Sequence, residues 1–284
     1  MAIDTNGKVQ TPFGREERVL AGRRIVNYSK DGHIAIVEFD DPPANTYTHE
    51  MMRQLDEAIL DARFNDEIEV IILIGAGAKF FSAGANIAML NAVTPGFKNM
   101  FCLHANETLN RLEQTPKLVI AALNGHCVGG GLEIAMAADL RIARRDGGKC
   151  GLPEVGLGVL PGTGGTQRLA RLVGKARAID LMVSGRTFSF ELAQEYGIVN
   201  EIYEGGAEEF RAQVLTYAKQ FTSPHKAPMA VGLIKRAVQT GLELPFQDAL
   251  ALERELQSQL FKSADAKEGI AAYNEKRTAH FKNS

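Results

Sequence analysis

The stretch that most constrains this chain runs from Val119 to Leu169 and reads VIAALNGHCVGGGLEIAMAADLRIARRDGGKCGLPEVGLGVLPGTGGTQRL. It begins in an apolar strand, Leu118 to Leu123, that breaks at Asn124-Gly125, a dipeptide favouring a turn. Gly129, Gly130 and Gly131 follow, then LEIAMAAD, made largely of good helix formers. A strand, a glycine turn and a helix start leave bare backbone N–H groups where a ligand's polar atom can approach. No Cβ stands in the way, and the helix start adds about half a positive charge. Glu133 falls in the first turn of that helix, and Glu154 lies beyond the next strand in the Gly/Pro-flanked loop CGLPEVGLG. Both sit among apolar neighbours, where a charge needs a partner or a purpose. Two carboxylates beside backbone donors are the parts for acid–base chemistry on a polarised carbonyl.

On either side the chain predicts an α/β core followed by helices. Residues 1–22 are polar and Gly-rich and read as a mobile arm. Two β-type runs, Arg24 to Tyr28 and His33 to Phe39, flank the turn signal Asp31-Gly32. DDPPANTYT is a loop, because tandem prolines bar helix and central strand alike. Thr48 caps a helix with Met52, Leu55, Ile59 and Ala62 at helical spacing. Val70 to Gly75 is a continuous apolar strand of the kind buried on both faces. GAGAKFFSAGANI is a loop that starts a short helix near Asn86, and Leu103 to Gln114 is helical. Alternation of strand and helix implies parallel crossovers.

Further strands are expected at Leu140 to Ala143, near Cys150 and at Ile198 to Tyr203. Helices are expected at 167–172, 175–184 and 189–196. From Ala207 the pattern is helix alone, at 207–221, 225–239, 245–261 and 263–277. The organisation is therefore an arm at 1–22, a core at 23–205 and a helical region at 206–284. No fixed repeat period is visible.

Composition narrows the partners. With 284 residues, 45% apolar content and a net charge of −2, the chain has no basic field for nucleic acid or an anionic membrane. No apolar run reaches the roughly 18 residues needed to span a bilayer. The N-terminus lacks the apolar segment of a secretory signal, so a cytoplasmic location is expected. Cys102, Cys127 and Cys150 are odd in number, lie in or beside apolar stretches and read as reduced packing thiols. His104 and His126 lack metal-ligand spacing, and no base is placed by sequence to activate Cys127. GTGGTQ at 162–167 lacks the Lys-Ser/Thr ending of a phosphate loop and does not complete G-x-G-x-x-G.

Four separated motifs, FFSAGANI at 80–87, NGHCVGGGLEIAMAADLRIA at 124–143, LPEVGLGVLPGTGGTQRLARLVG at 152–174 and KEGIAAYNEKRTAHFK at 267–282, carry a family likeness. From about Ile25 to its end the chain resembles the enoyl-CoA hydratase/isomerase (crotonase) superfamily, most of all the enoyl-CoA hydratases. The resemblance implies an α/β spiral of ββα units with a helical C-terminal oligomerisation region. It implies that the Ala85 and Gly130 N–H groups hold a thioester oxygen, as an oxyanion hole for an enolate-like intermediate. Glu133 would then deprotonate water for attack at C3 of a trans-2-enoyl-CoA, and Glu154 would deliver a proton to C2. The Gly162 N–H would help hold the water. Ala83, Asn86, Ile87 and Ala88 would contact the substrate, with Tyr273 and Lys276 near the CoA adenine and phosphates.

Many relatives carry Asp and Lys where this chain has Asn86 and Ala88, which removes one phosphate contact that Lys276 is placed to supply. No metal or resident cofactor is implied, since CoA enters with its substrate. The implied assembly is a trimer, or a hexamer of two trimers, with neither nucleic acid nor membrane as a partner. Two other readings stand beside hydration. A Δ3,Δ2-enoyl-CoA isomerase can run on one carboxylate, and some relatives are RNA-binding or scaffold proteins. Met89, Leu90, Val93, Phe97, Met100 and Phe101 suggest an apolar lining in 88–101, but the acyl group is not legible.

Overall fold

The computed structural model describes residues 2–3, 9–10 and 23–284. The expected N-terminal arm lies outside the described residues, apart from a two-residue antiparallel pairing of β1 (Ala2–Ile3) with β2 (Val9–Gln10). The core opens with the antiparallel hairpin of β3 (Val26–Asp31) and β4 (Ile34–Phe39), turned at the expected glycine. Helix α1 (His49–Phe64) starts where Thr48 accepts the Met51 N–H, and it buries Met52, Leu55, Ile59 and Ala62 as their spacing predicts.

A strand–strand–helix unit then recurs three times. It consists of β5 (Val70–Gly75) and β6 (Phe80–Ser82) with α2 (Ile87–Ala92) and α3 (Pro95–Glu113). Next come β7 (Leu118–Leu123) and β8 (His126–Val128) with α4 (Gly130–Met136). The third unit is β9 (Leu140–Arg144) and β10 (Lys149–Gly151) with α5 (Gly165–Val173) and α6 (Lys175–Ser184). The short elements β11 (Phe188–Ser189), α7 (Phe190–Glu195) and β12 (Glu201–Tyr203) close the series.

The first strand of each unit enters a six-stranded sheet of order β12-β9-β7-β5-β4-β3, and the second enters a four-stranded sheet of order β11-β10-β8-β6. Within both sheets every pairing is parallel except β3 with β4 and β10 with β11. The spiral of ββα units is thus present. Its period is hidden in the sequence because the helical part of each unit differs in length.

Strand β5 shows why its run is apolar throughout. Ile71 and Leu73 enter the core shared with α1, while Val70, Ile72 and Ile74 face the other way. That outer face is covered by Phe210, Val214 and Ala218 of α8 (Ala207–Lys219). Helices α9 (Pro228–Gly241), α10 (Phe246–Leu260) and α11 (Ala264–Glu275) complete the chain. Several boundaries differ from the sequence reading, three of them for a visible reason. Helix α3 begins at Pro95, capped by Thr94 accepting the Phe97 N–H, so a start signal outweighs the low propensity of Gly96. Helix α9 starts at Pro228, later than expected. The last strand shortens because the Ile198 and Val199 N–H groups donate to Ala193 O at the end of α7.

Candidate active site

Parallel pairing gathers the site. In the four-stranded sheet Ser82 lies opposite Cys127, and Val128 opposite Gly151. The carboxyl ends of β6, β8 and β10 therefore release residues 83–86, 129–131 and 152–154 side by side, at the sheet end where parallel folds place ligands. Two glycines let these loops close. Gly84 has φ +85°, and a Cβ there would meet Val128 O at 2.8 Å; Gly129 has φ +56° and donates its N–H to Gly151 O at 2.9 Å.

The two expected donors are left open by this geometry. Tyr47 forms a parallel bridge with Ala85, donating its N–H to Gly84 O at 2.7 Å and accepting the Asn86 N–H at 3.2 Å. Both bonds go to residues flanking Ala85, so its own N–H points away from Tyr47. Gly130 is the first residue of α4, where a helix leaves N–H groups unpaired. Among the described residues nothing accepts the Ala85, Gly130 or Gly162 N–H.

Glu133 is 2% exposed. Its Oε1 accepts the N–H of Thr163 at 2.7 Å and that of Gly165 at 2.8 Å. A Cβ at Gly165 would stand 2.9 Å from that oxygen, so the close approach requires glycine. Two N–H groups converging on one oxygen hold it as an acceptor.

Glu154 has a different environment. It opens a 3₁₀ turn, Glu154–Leu157, and one carboxylate oxygen, Oε2, is buried with no hydrogen-bond partner among the described residues. Burial is the main cause pushing its carboxyl up to about 7; the Glu133 charge adds to this, while a backbone hydrogen bond and Lys98 oppose it. Its Oε1 lies 3.1 Å from where a Gly129 Cβ would stand, which places the carboxylate against the glycine turn. A carboxyl poised near neutrality can donate a proton, and one fixed as an acceptor can receive one.

The remaining expected residues divide. The Ala83 N–H is spent on Ala44 O at 3.0 Å. Asn86 accepts the Met89 N–H at 2.9 Å and donates to Thr46 Oγ1 at 3.1 Å, so it serves as the cap of α2 without an acid there. Ile87 and Ala88 are exposed on the first turn of α2. Gly162 is half-buried beside Cys102, whose Sγ would lie 3.2 Å from a Cβ at 162. Tyr273 is 86% exposed, and Lys276 is exposed just past α11.

The apolar lining also splits. Phe101 is buried and stacks on Tyr47 with ring centroids 5.0 Å apart, whereas Phe97 and Met100 are exposed. Sequence reasoning missed Tyr47, Lys98, Thr163 and Gly165. For the last two a signal existed, because a glycine-rich helix start sheds unpaired N–H groups whether or not it forms a nucleotide loop.

Comparison with known proteins identifies the family. The family model for enoyl-CoA hydratase/isomerase matches residues 29–284. A short-chain-enoyl-CoA hydratase of Clostridium acetobutylicum is 37% identical over 258 residues, which is 89% of this chain and 96% of the relative. A crotonyl-CoA hydratase of Syntrophomonas wolfei is 34% identical, over 89% of this chain and 95% of its own. Among solved structures, an enoyl-CoA hydratase of Geobacillus kaustophilus superposes with a TM-score of 0.88 at 43% identity, covering 93% of this chain and 98% of the other. Fold, identity and coverage agree over nearly the whole described chain: it belongs to the enoyl-CoA hydratase/isomerase family.

Proposed function

We propose that the chain adds water syn across the C2=C3 bond of a trans-2-enoyl-CoA to give the 3-hydroxyacyl-CoA, with Glu133 and Glu154 as base and acid on the same side of that bond. The supporting observation is that two glutamates of unlike environment flank a glycine turn at which the Gly130 N–H has no acceptor among the described residues. The Ala85 and Gly130 N–H groups donate to the thioester oxygen and stabilise the charge developing on it, which makes C3 electrophilic. Glu133 takes a proton from water as its oxygen bonds to C3. The electron pair of the C2=C3 bond passes into the enolate, which collapses as Glu154 gives its proton to C2. One proton is gained by Glu133 and one lost by Glu154, so the pair is reset by exchange with solvent. The Gly162 N–H is assigned to hold the water.

A Δ3,Δ2-isomerase only shuttles a proton between C2 and C4 and needs one carboxylate. Two glutamates at the turn therefore favour hydration. For the CoA end, Ala83, Asn86, Ile87 and Ala88 are assigned to the acyl-CoA path, and Tyr273 and Lys276 to the nucleotide. The helical region 206–284 is assigned to assembly as a trimer or a pair of trimers. Support for assembly comes from its exposed apolar side chains: Leu242 is 81%, Phe246 73% and Phe261 65% exposed. A cytoplasmic site of action suits the free thiols Cys102, Cys127 and Cys150.

Crotonyl-CoA is the substrate to test, since the named relatives include a short-chain and a crotonyl-CoA hydratase. Purified protein should bleach the conjugated thioester absorbance and yield 3-hydroxybutyryl-CoA. Unchanged absorbance across a panel of enoyl-CoA chain lengths would refute hydration.

A further inference from the structure

Tyr47 lies in the proline-rich loop ahead of α1, a segment with no chemistry assigned to it above. It is 2% exposed and meets the site at three places, the loop 84–86, Gly130 and Thr163. Its main chain brackets Ala85 through the bonds to Gly84 and Asn86, and this turns the Ala85 N–H outward. Its ring lies beneath Gly130. A Cβ at that glycine would fall 2.9 Å from the Tyr47 Cγ and 3.1 Å from its Cδ1, so ring and backbone are in direct contact. Its hydroxyl is 3.0 Å from the Thr163 Oγ1, on the residue whose N–H donates to Glu133. Phe101 stacks on the ring and leaves it little room to move.

Burial pushes the phenol well above its ordinary pKa, so the group works as a neutral hydroxyl and not as an acid or base. A packing residue ordinarily fills space between elements. This one instead fixes the relative placement of two oxyanion donors and one carboxylate, groups that must agree to within about half an ångström for catalysis.

We propose that Tyr47 is a positioning residue that sets the Ala85 and Gly130 N–H groups and the Glu133 carboxylate in one register. The proposal rests on the hydratase reading. Its parts separate by mutation, since the hydroxyl serves the Glu133 arm and the ring serves Gly130.

Tyr47→Phe keeps the ring and loses the bond to Thr163. With crotonyl-CoA its kcat should fall about tenfold, equivalent to about 1.4 kcal/mol, while KM stays within about twofold. Tyr47→Leu removes the ring as well. In it, the carbonyl stretch of bound butanoyl-CoA, which cannot be hydrated, should move from its polarised frequency toward that of the free thioester. In Tyr47→Phe that frequency should stay at the wild-type value.

Wild-type kcat in Tyr47→Phe would overturn the proposal, as would a rise in KM with kcat unchanged. An unshifted carbonyl band in Tyr47→Leu would do the same. If the Leu variant does not fold, the kcat and KM of the Phe variant decide the matter. Should the wild-type protein fail to hydrate crotonyl-CoA, the hydratase reading falls, and the carbonyl band of Tyr47→Leu still decides whether Tyr47 aligns the donors.

Discussion

Glu154 makes the pH dependence of hydration a specific prediction. Its carboxyl is pushed up to about 7, chiefly by burial and also by the Glu133 charge, and in the proposed mechanism it must carry its proton to act. Raising the pH through 7 therefore removes the acid. Between pH 6 and pH 8 the protonated fraction falls from about ten-elevenths to about one-eleventh, so kcat/KM should drop about tenfold. The free enzyme's groups govern kcat/KM, which makes it the parameter to follow.

Lys98 opposes the shift, and its ammonium lies 5.1 Å from the centre of the Phe101 ring. Lys98→Met should move the falling limb to higher pH. Stability carries the same sign. The folded chain holds a proton on Glu154 that the unfolded chain releases, so this group's contribution is full below the ordinary value of 4.5 and is lost as pH rises through about 7. Glu154→Gln should flatten that part of the stability profile. Initial rates at low crotonyl-CoA, in buffers of constant ionic strength, give the test. A rate that stays level to pH 8.5, or a limb that Lys98→Met moves downward, would refute this assignment of the acid.

Three further outcomes follow from the same geometry. Glu133→Gln and Glu154→Gln should each lower kcat about 10²–10⁴-fold with little change in acyl-CoA affinity, and the double variant should be little worse than the poorer single; near-wild-type turnover in either would remove that residue from the chemistry. Gly165→Ala would set a Cβ 2.8 Å from the Pro161 Cβ and 2.9 Å from the Glu133 Oε1, so it should lose about 1–3 kcal/mol of stability as well as activity, and calorimetry with no fall in Tm would contradict the packing. Removal of everything after Phe261 should break the assembly and Lys276→Ala should weaken acyl-CoA binding, which light scattering and titration read separately.

Much of the site is legible in the sequence because it is local. The glycine turn at 129–131 and Glu133 share one strand-to-helix unit, where a buried acid beside bare N–H groups stands out at short range. The apolar run of β5 reports its burial on both faces just as directly. What cannot be read is set by pairing between distant segments. Tyr47 sits in PPANTYT, which reads as a loop, and its partners Gly84, Gly130 and Thr163 come from three other segments. The state of Glu154 depends on burial, Glu133 and Lys98, none of them neighbours in the chain. Asn86 looks like a loss when set against relatives, yet its side chain caps α2 without any charge.

In the proposed mechanism two glutamates add water to the double bond, one at each carbon. Turnover of crotonyl-CoA in deuterium oxide, read by NMR of the thioester product, tests it most directly. The expected product is a 3-hydroxybutyryl-CoA with one deuterium at C2, on the same face as the new C3–O bond. Deuterium at C4 with no hydroxyl at C3 would mean isomerisation, and a hydroxyl opposite the C2 deuterium would mean that the two carboxylates do not work from one side. Either result would rule out paired action of Glu133 and Glu154 in syn hydration.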